Sequence, residues 1–497
     1  MTQKGNLSRI GLWLGPLLAT VVYFLLSGDD PSAPTHLEQA GRITAALAVW
    51  MATWWLTEAI PLAGTALLPV VVLPLGEVST IAAATAPYAS PLIFLFLGGF
   101  ILGLAIQRVG LHKRIAMHIV LKVGTSPRRL IAGFMLASAA LSMWISNTAT
   151  AIMMLPIGVS VLTMLRERQT GSGEKQTARD STDMDSFASA MVLGIAYACS
   201  IGGIGTLIGT PPNLILAAFL QSQYGIDLSM AQWLSIGLPL VAVLLPLAWL
   251  YLTRVAFRVS GEALPYGHDA IREELIKMGP MNRGERIVLG IFLLTATAWI
   301  LRPMIAAWTG LSELNDATIA MFAALLLFVI PIRHSPRTPG MDWQTAKQVP
   351  WDILILFGGG LSLAGAIAST GVDAFIGSGF VQLGDAPLFL LVLGVTGGVI
   401  LLTEITSNTA VTATLMPVLA AAAVTTGAPA GMLLTAAAIA ASCAFMLPVA
   451  TPPNAVVFSS GFIRIAQMAR TGLWLNLAAA LLIASIVYLG THLVIGR

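Results

Sequence analysis

Long apolar runs, separated by short polar segments, follow one another along almost the whole chain. A helix needs about 20 apolar residues to cross a bilayer. Candidate spans lie at residues 10–27, 43–57, 60–76, 91–107, 187–222, 231–253, 287–304, 317–332, 351–369, 431–458 and 473–495. The pattern predicts an all-α polytopic membrane protein with about eleven transmembrane helices.

Two further apolar runs, 130–164 and 386–424, are too long for one crossing, and polar residues interrupt each in the middle. We expect each run to form a helix, a break and a second helix, entering and leaving the membrane on the same side. These runs are therefore predicted to be two re-entrant hairpins. The spans 187–222 and 431–458 contain pairs of prolines, which end a helix, and are predicted to be broken helices.

Composition agrees with this pattern and excludes several classes of protein. Hydrophobic residues make up 57% of the 497 residues and charged residues only 10%, against about 25% in ordinary soluble domains. So few charges exclude a soluble enzyme, a disordered chain and a nucleic-acid-binding protein. The long runs and the aromatic content of 7% favour helices over an outer-membrane barrel.

The basic residues indicate how the chain crosses the membrane. Segments 1–9, 108–129, 165–186, 254–286, 333–350 and 459–472 hold 23 of the 26 Lys and Arg residues. Cytoplasmic loops carry such an excess of positive charge. The distribution predicts a multi-pass protein of the inner (cytoplasmic) membrane, with a cytoplasmic N-terminus and an external C-terminus, if each hairpin returns to the side from which it entered.

The chain also repeats itself. The sequence Ser-Asn-Thr-Ala at 146–149 recurs at 407–410, offset by 261, and Thr-Pro-Pro-Asn at 210–213 recurs at 451–454, offset by 241. Glycines at 98–99 and 358–360 open similar helices. Segment 108–129 carries six basic residues and no acidic one, whereas its counterpart 369–390 carries Asp373 and Asp385 and no basic residue. Equivalent loops therefore lie on opposite sides, which predicts an inverted repeat, typical of secondary transporters.

This organisation divides the chain into five predicted parts. They are N-terminal scaffold helices (1–90), a first repeat core (91–230), scaffold helices with a cytoplasmic loop at 254–286 (231–350), a second repeat core (351–460) and the last transmembrane helix (461–497). Each core contains one hairpin and one broken helix. A polar insert at 166–185, present only in the first core, accounts for the shorter second offset.

The Ser146-Asn147-Thr148 cluster lies in the middle of the first hairpin, where polar side chains are costly without partners. Such a cluster on its own usually supplies hydrogen bonds between helices. In a broken helix, these good N-caps instead begin a half-helix near Ala149, whose free N–H groups and positive dipole end favour an anion. The preceding half-helix ends in free carbonyls, which suit a hard cation such as Na⁺. The recurrence at 407–409 favours this second interpretation.

The Thr-Pro-Pro-Asn motifs predict further breaks. Two prolines inside an apolar run end a helix, and Thr210 is expected to cap the new half-helix, with proline in its first turn. A lone proline pair is usually a kink, but the pair recurs after Thr451. Four breaks near the bilayer midplane are predicted to enclose one anion with charge at both ends.

The charges missing from these segments are also informative. No Lys, Arg or His lies within 130–164, 187–222, 386–424 or 431–458, so a bound cation, most simply Na⁺, is predicted to balance an anion there. The chain has no H-E-x-x-H motif and no Walker A loop, which leaves a membrane metalloprotease or an ATP-driven pump without support, and no cofactor is expected. Glu404 admits two roles, a structural one in the hairpin or support of a cation site. Glu58 is expected to cap the helix that begins after Pro61.

The paired motifs resemble those of the divalent anion/sodium symporter family, which includes sodium-coupled dicarboxylate and citrate transporters. The segments Trp-Trp-Leu-Thr-Glu-Ala-Ile-Pro at 54–61 and Leu-Thr-Glu-Ile-Thr-Ser-Asn-Thr at 402–409 also resemble family signatures. The resemblance covers nearly the whole chain. It implies eleven transmembrane helices with two re-entrant hairpins, a homodimer, and a transport domain that moves like an elevator against a scaffold.

The resemblance also implies site residues, carried over by motif. The first sodium site would use Ser142, Ser146, Asn147 and the backbone at Gly209, and the second would use Thr403, Thr406, Asn408 and the backbone at Ala450. The substrate carboxylates would contact Asn147, Thr148, Thr210, Pro211, Asn408, Thr409, Thr451 and Pro452.

The predicted function is sodium-coupled symport of small divalent anions, with C4-dicarboxylates such as succinate, malate or fumarate as substrates. Citrate and sulfate remain open, because no sequence feature sets the distance between the two charged ends of the anion. The alternatives are a sodium-independent anion exchanger or a transporter of oxyanions, such as sulfate or arsenite, on a related scaffold. An intramembrane enzyme lacks a catalytic pair in either hairpin, and a passive channel would not need alternating access.

Overall fold

The structure is a computed structural model that describes residues 3–28, 36–124, 126–171, 178–260, 272, 275–276, 278–311, 313–334, 337–380 and 386–494. Asp385, Arg497 and part of the predicted loop 254–286 lie outside the described residues.

Helices make up nearly all of the described chain. In the first half they are α1 (Gln3–Leu25), α2 (Gln39–Thr57), α3 (Leu62–Thr65), α4 (Leu68–Leu75), α5 (Ile81–Thr85), α6 (Pro91–Arg108), α7 (Leu111–Val123), α8 (Pro127–Ser142), α9 (Asn147–Gly171), α10 (Ala178–Gly203), α11 (Pro211–Tyr224) and α12 (Met230–Leu250). A π-helical turn, Tyr251–Ala256, follows α12, and short 3₁₀ turns cover Leu26–Gly28 and Ala86–Ala89.

In the second half the helices are α13 (Arg283–Thr309), α14 (Asp316–Val329), α15 (Trp343–Ala346), α16 (Trp351–Ser369), α17 (Val372–Ser378), α18 (Leu388–Ile405), α19 (Asn408–Thr426), α20 (Ala430–Ala441), α21 (Pro452–Phe458) and α22 (Ile465–Val494). Among the described residues, ten helical stretches are long and apolar enough to cross a membrane, and three shorter helices are apolar as well. The predicted all-α polytopic fold is confirmed.

The breaks in the long apolar runs occur where the polar motifs stand. The first hairpin is interrupted between α8 and α9, directly before Asn147, and the second between α18 and α19, directly before Asn408. The Thr-Pro-Pro motifs begin α11 and α21, because proline is tolerated in a first helical turn but not in a helix interior.

Burial separates a central layer from a peripheral one. The stretch Met184–Gly203 of α10 is 94% buried within the protein, whereas the apolar stretch of α13 is only 22% buried. An apolar helix that the protein does not cover must face lipid. The first broken helix therefore lies at the centre of the protein, and α13 lies at its surface.

The paired glycines allow helices to approach closely. A Cβ atom on Gly98 would lie 2.6 Å from the backbone of Ala320, which brings α6 against α14. A Cβ atom on Gly359 would lie 2.2 Å from the carbonyl oxygen of Ala66, which brings α16 against the end of α3. A side chain at either position would force these helices apart.

The polar insert extends the helices on either side of it: α9 continues to Gly171 and α10 starts at Ala178, because Arg, Glu and Gln are good helix formers. Two sequence expectations need correction. Two short antiparallel strands, Pro331–His334 and Arg337–Pro339, occur where α14 has ended and proline prevents its continuation. Glu58 does not cap the next helix; it is the C-cap of α2, with a left-handed φ of 48°, and Pro61 precedes α3.

Candidate functional site

A cavity of about 880 Å³ lies where the four breaks meet. All eight predicted substrate residues line it: Asn147, Thr148, Thr210, Pro211, Asn408, Thr409, Thr451 and Pro452. Five of the eight predicted sodium positions line it too: Ser146, Asn147, Gly209, Asn408 and Ala450. Ser142, Thr403 and Thr406 are not part of its wall.

Four helices begin at this cavity. Three of them, α9, α11 and α19, have 25, 14 and 19 residues, and the fourth, α21, has seven. The first residues of a helix leave N–H groups without partners in the helix, and the dipole adds positive charge there. The cavity is therefore suited to an anion, and the three longer helices contribute most of the dipole.

The breaks in the two halves are held by the same contacts. The side-chain nitrogen of Asn213 donates to the carbonyl of Thr206 at 2.8 Å and to that of Gly203 at 3.2 Å. The side-chain nitrogen of Asn454 donates to the carbonyls of Leu447 at 3.1 Å and Ala444 at 3.0 Å, which stand 241 residues later in each case. The Asn that ends each Thr-Pro-Pro-Asn motif thus satisfies carbonyls that the break leaves open.

An aromatic donor supports each break as well. Nε1 of Trp233 donates to the carbonyl of Ile204 at 2.8 Å, and the hydroxyl of Tyr197 donates to the carbonyl of Phe445 at 2.8 Å. Ile204 and Phe445 are again 241 residues apart. Because Tyr197 belongs to α10, its bond ties the first broken helix directly to the second.

The helix caps differ between the motifs. Oγ of Ser146 accepts the N–H of Ala149 at 3.3 Å, as expected of a capping residue, and Thr451 caps α21 by accepting the N–H of Asn454. Thr210 does not cap α11, contrary to expectation; its hydroxyl lies 3.4 Å from the hydroxyl of Ser442, at the end of α20.

Oxygen atoms converge around Asn147 in the first break. One terminal atom of its side-chain amide lies 2.5 Å from Oγ of Ser142, 3.1 Å from the carbonyl oxygen of Cys199 and 3.2 Å from that of Gly209. The hydrogen bonds favour the amide nitrogen at this position, where it donates to these three oxygens. A half-turn of the amide would bring its oxygen there instead and give four oxygens, the kind of donor set that unwound helix segments offer to Na⁺.

The second break is arranged differently. The hydroxyl of Thr403 is fully buried and donates to the carbonyl of Ala441 at 3.0 Å, as Ser142 does to Cys199 at 2.7 Å. Oδ1 of Asn408, however, accepts the N–H of Thr409 at 2.7 Å, at the start of α19. The hydroxyl of Thr406 donates to the carbonyl of Leu402 at 3.3 Å. In this second break, the two hydroxyls and the amide oxygen thus each pair with a different backbone group.

Glu404 has a structural role in the described geometry. Its Oε1 accepts the N–H groups of Phe445 at 2.7 Å and Met446 at 2.9 Å, and its Oε2 accepts that of Leu447 at 3.0 Å. The side chain of Asn476 donates to Oε1 at 2.6 Å. The carboxylate thus satisfies three N–H groups of the unwound segment, which decides between the two roles that the sequence left open in favour of the structural one.

Among the described residues, no basic side chain lines the cavity. Its ionisable residues are two acids, Glu58 and Asp352, and the polar residues Gln107 and Gln348 stand at the end near the predicted inner segments. Among the described residues, no group of three or more His, Cys, Asp or Glu side chains is placed to hold a metal ion. An anion in this cavity therefore needs mobile cations bound through neutral oxygens for its charge to be balanced.

Sequence reasoning missed several residues of this site. Cys199 and Ala441 contribute backbone carbonyls, and the type of their side chains gives no indication of this. Trp233 and Tyr197 do carry one, since a polar aromatic group inside an apolar run usually finds a hydrogen-bond acceptor when it is buried.

Comparison with known proteins identifies the family of this chain. The pattern of the family described as the sodium:sulfate symporter transmembrane region matches residues 13–495. The sodium-dependent dicarboxylate transporter SdcS of Staphylococcus saprophyticus is 43% identical over 96% of this chain and 90% of its own. SdcS of Staphylococcus aureus strain USA300 is 42% identical over 98% of this chain and 92% of its own.

Two solved structures share the fold. The YdaH transporter of Alcanivorax borkumensis aligns with a TM-score of 0.60 at 12% identity, covering 93% of this chain and all of YdaH. MtrF of Neisseria gonorrhoeae aligns with a TM-score of 0.59 at 11% identity, covering 98% of this chain and 96% of MtrF. With the family pattern spanning nearly its whole length, the chain belongs to the sodium:sulfate symporter family of multi-pass membrane transporters and is not an enzyme.

Proposed function

We propose that this protein is a sodium-coupled symporter of C4-dicarboxylates. The observation that carries the proposal is one cavity lined by both Ser-Asn-Thr and both Thr-Pro-Pro motifs, with helix N-termini directed at it and no basic residue among the described residues of its wall. Such a site attracts an anion but leaves its charge to be balanced by bound cations. The names of the relatives, sodium-dependent dicarboxylate transporters, support Na⁺ as that cation and a dicarboxylate as the anion.

The two motif pairs divide the substrate between them. Asn147, Thr148, Thr210 and Pro211 bind one carboxylate, and Asn408, Thr409, Thr451 and Pro452 bind the other. The first Na⁺ binds among the oxygens of Ser142, Asn147 and Gly209, with Ser146 beside them, and the carbonyl of Cys199 joins this set. The second binds near Thr403, Thr406, Asn408 and Ala450.

Coupling follows from the position of Asn147. It takes part in the oxygen set behind the break and also lines the cavity in front of it. A Na⁺ ion there adds positive charge at the start of α9, next to a substrate carboxylate, and turns the amide oxygen towards itself. The amide nitrogen then faces the cavity as a donor. Substrate affinity rises with Na⁺ bound, which is the condition for symport.

The cavity also indicates a direction of access. Two polar residues of its wall support this direction: Gln107 directly precedes segment 108–129, and Gln348 lies within segment 333–350. Both segments are predicted from their basic residues to be cytoplasmic. We infer an inward-facing state, and an elevator movement of the hairpins and broken helices against the scaffold that carries substrate and Na⁺ from the outside to the cytoplasm.

Uptake of radiolabelled succinate into proteoliposomes tests the function. We expect saturable uptake with an inward Na⁺ gradient and none when choline replaces Na⁺, with competition by malate and fumarate. Uptake unchanged in choline would identify an exchanger, and competition by sulfate alone would identify an oxyanion transporter; either result overturns the proposal.

Topology and assembly complete the proposal: a cytoplasmic N-terminus, an external C-terminus and a homodimer in the cell membrane. Both native cysteines are buried, so cysteines introduced in place of Gly310 and Arg464 give a clean labelling test. We expect an impermeant thiol reagent to label intact cells at position 310 and not at 464. The dimer predicts a protein mass of twice 52.1 kDa in detergent, after correction for bound detergent.

A further inference from the structure

A second cavity, of about 360 Å³, lies apart from the first and shares no residue with it. Residues from α1, α2, α16 and α17 form one side, and residues of α19 form the other. Fifteen of the sixteen residues that line it are apolar; the exception is Thr414. The volume is in the range of ligand pockets, about 300–1,000 Å³, but the lining offers almost nothing to a polar ligand.

Arg42 lies in α2, three residues before Ala45, the first residue of α2 that lines the second cavity. Ala45, Val49 and Ala52 of α2 line the cavity, and Arg42 precedes them by 3, 7 and 10 residues, which places all four on one face of the helix. The guanidinium carbon of Arg42 lies 5.5 Å from the centre of the Tyr23 ring, next to Val22 of the cavity wall. The guanidinium group therefore stands at the rim of an apolar space.

The guanidinium of Arg42 has unused donor capacity. Its Nε is buried and has no hydrogen-bond acceptor among the described residues. A buried N–H without a partner is unfavourable, and more so when the group is charged. A phosphate oxygen suits this position, because the planar guanidinium matches phosphate geometry.

We propose that the second cavity holds an acyl chain of a glycerophospholipid whose phosphate pairs with Arg42. The protein lies in a bilayer, so lipid is the apolar molecule present at the mouth of this cavity at high concentration. Arg42 is one of only three basic residues of the sequence outside the predicted cytoplasmic segments, which places the phosphate in the outer leaflet. The acyl chain fills apolar space while the phosphate satisfies the charge.

This lipid has a structural consequence. Its chain touches α2 on one side and Pro417 and Val418 of α19 on the other. Since α19 begins at Asn408, in the wall of the first cavity, the lipid braces a helix that serves the transport site. Removing the lipid is expected to lower thermal stability even where the first cavity is intact.

Native mass spectrometry of the full chain in mild detergent, with added phosphatidylglycerol, tests the proposal. Arg42→Gln is expected to lower the retained lipid about tenfold, which corresponds to ~1.4 kcal/mol, while Arg42→Lys keeps part of it. The matched control Arg464→Gln removes one exposed basic residue on the predicted cytoplasmic side and should retain lipid as the wild type does. Equal retention by Arg42→Gln and the wild type would overturn the proposal.

Two further measurements separate the chain from the headgroup. Ala48→Phe fills the second cavity without touching Arg42 and should also lose lipid. Diacylglycerol, which lacks the phosphate, and glycerol phosphate, which lacks the chains, should each bind more weakly than phosphatidylglycerol. If either glycerol phosphate or diacylglycerol bound as tightly as phosphatidylglycerol, a site that needs both the acyl chain and the phosphate would be refuted. Succinate uptake is not needed for any of these outcomes, so they stand apart from the test of transport.

Discussion

The carboxylate of Glu404 accepts the backbone N–H of Phe445 at 2.7 Å and thereby joins the second hairpin to the unwound segment between α20 and α21. The first half has Met143 at the position of Glu404, and there the hydroxyl of Thr206 donates to the carbonyl of Met143. The two halves share the contacts of their Asn and aromatic residues but hold hairpin and break together with different chemistry. The second break depends on a buried carboxylate, and the first does not.

Glu404→Ala should destabilise the protein strongly. The change removes the acceptor of the part-buried N–H groups of Met446 and Leu447 and leaves the buried N–H of Phe445 only Oδ1 of Asn476, at 3.3 Å. A buried N–H that loses its acceptor costs about 1–3 kcal/mol. We expect a lower unfolding temperature in detergent and a loss of succinate uptake. Glu313→Gln, at an exposed carboxylate, is the control and should change neither. A Glu404→Ala protein as stable as the wild type would refute the structural role.

Gly203→Ala should displace Asn147. A Cβ atom on Gly203 would lie 2.4 Å from Oδ1 of Asn147, and the side-chain amide is the part that can move. We expect the Na⁺ concentration for half-maximal uptake to rise about tenfold, or ~1.4 kcal/mol. Gly290→Ala is the matched control, because its Cβ meets open space, and alanine in a helix interior is favoured by roughly 0.5–1 kcal/mol. An unchanged Na⁺ dependence in Gly203→Ala would speak against a cation at Asn147.

Asn147→Ala and Asn408→Ala should each weaken both Na⁺ and substrate dependence, because each break is proposed to serve both ligands. We expect about tenfold higher half-saturation values for Na⁺ and succinate, measured by uptake at varied concentrations of each.

The control for Asn408→Ala is Asn315→Ala. Asn315 accepts the N–H of Thr318 at 2.9 Å and caps α14, away from the first cavity. Losing this cap should cost about 0.5–2 kcal/mol of stability without altering Na⁺ dependence. Normal transport by both Asn147→Ala and Asn408→Ala would make the central proposal wrong.

Tyr197→Phe should loosen the contact between the two broken helices. The ring keeps its packing against Phe445, with centroids 5.0 Å apart, but the buried carbonyl of Phe445 loses its donor. We expect a stability loss of about 1–3 kcal/mol, seen as a lower unfolding temperature. Tyr488→Phe, at a partly exposed tyrosine in α22, should leave the unfolding temperature within error. If both variants unfold alike, the hydroxyl of Tyr197 does not stabilise the break.

Much of the fold followed from local sequence. The hairpin interruptions were predicted at Ser146-Asn147-Thr148 and its copy, and the structure begins α9 at Asn147 and α19 at Asn408. Residue type is sufficient to predict these helix starts, because capping residues and prolines act on the backbone of their own turn. The prediction for Glu58 was wrong for a related reason: whether a residue ends one helix or caps the next depends on the backbone between them, here a left-handed turn.

The sequence by itself determined the membrane class, the position of nearly every span and the absence of fixed positive charge from the four broken segments. Run length, helix breakers and charge act locally, so they can be read without a structure. Only the tertiary structure decided that the four breaks line one cavity, that the carbonyl of Cys199 joins the oxygens at Asn147, and that Arg42 borders a separate apolar space. These relationships depend on packing between residues that are distant in sequence, such as Tyr197 and Phe445, 248 positions apart. They also depend on backbone carbonyls, whose positions cannot be inferred from residue type.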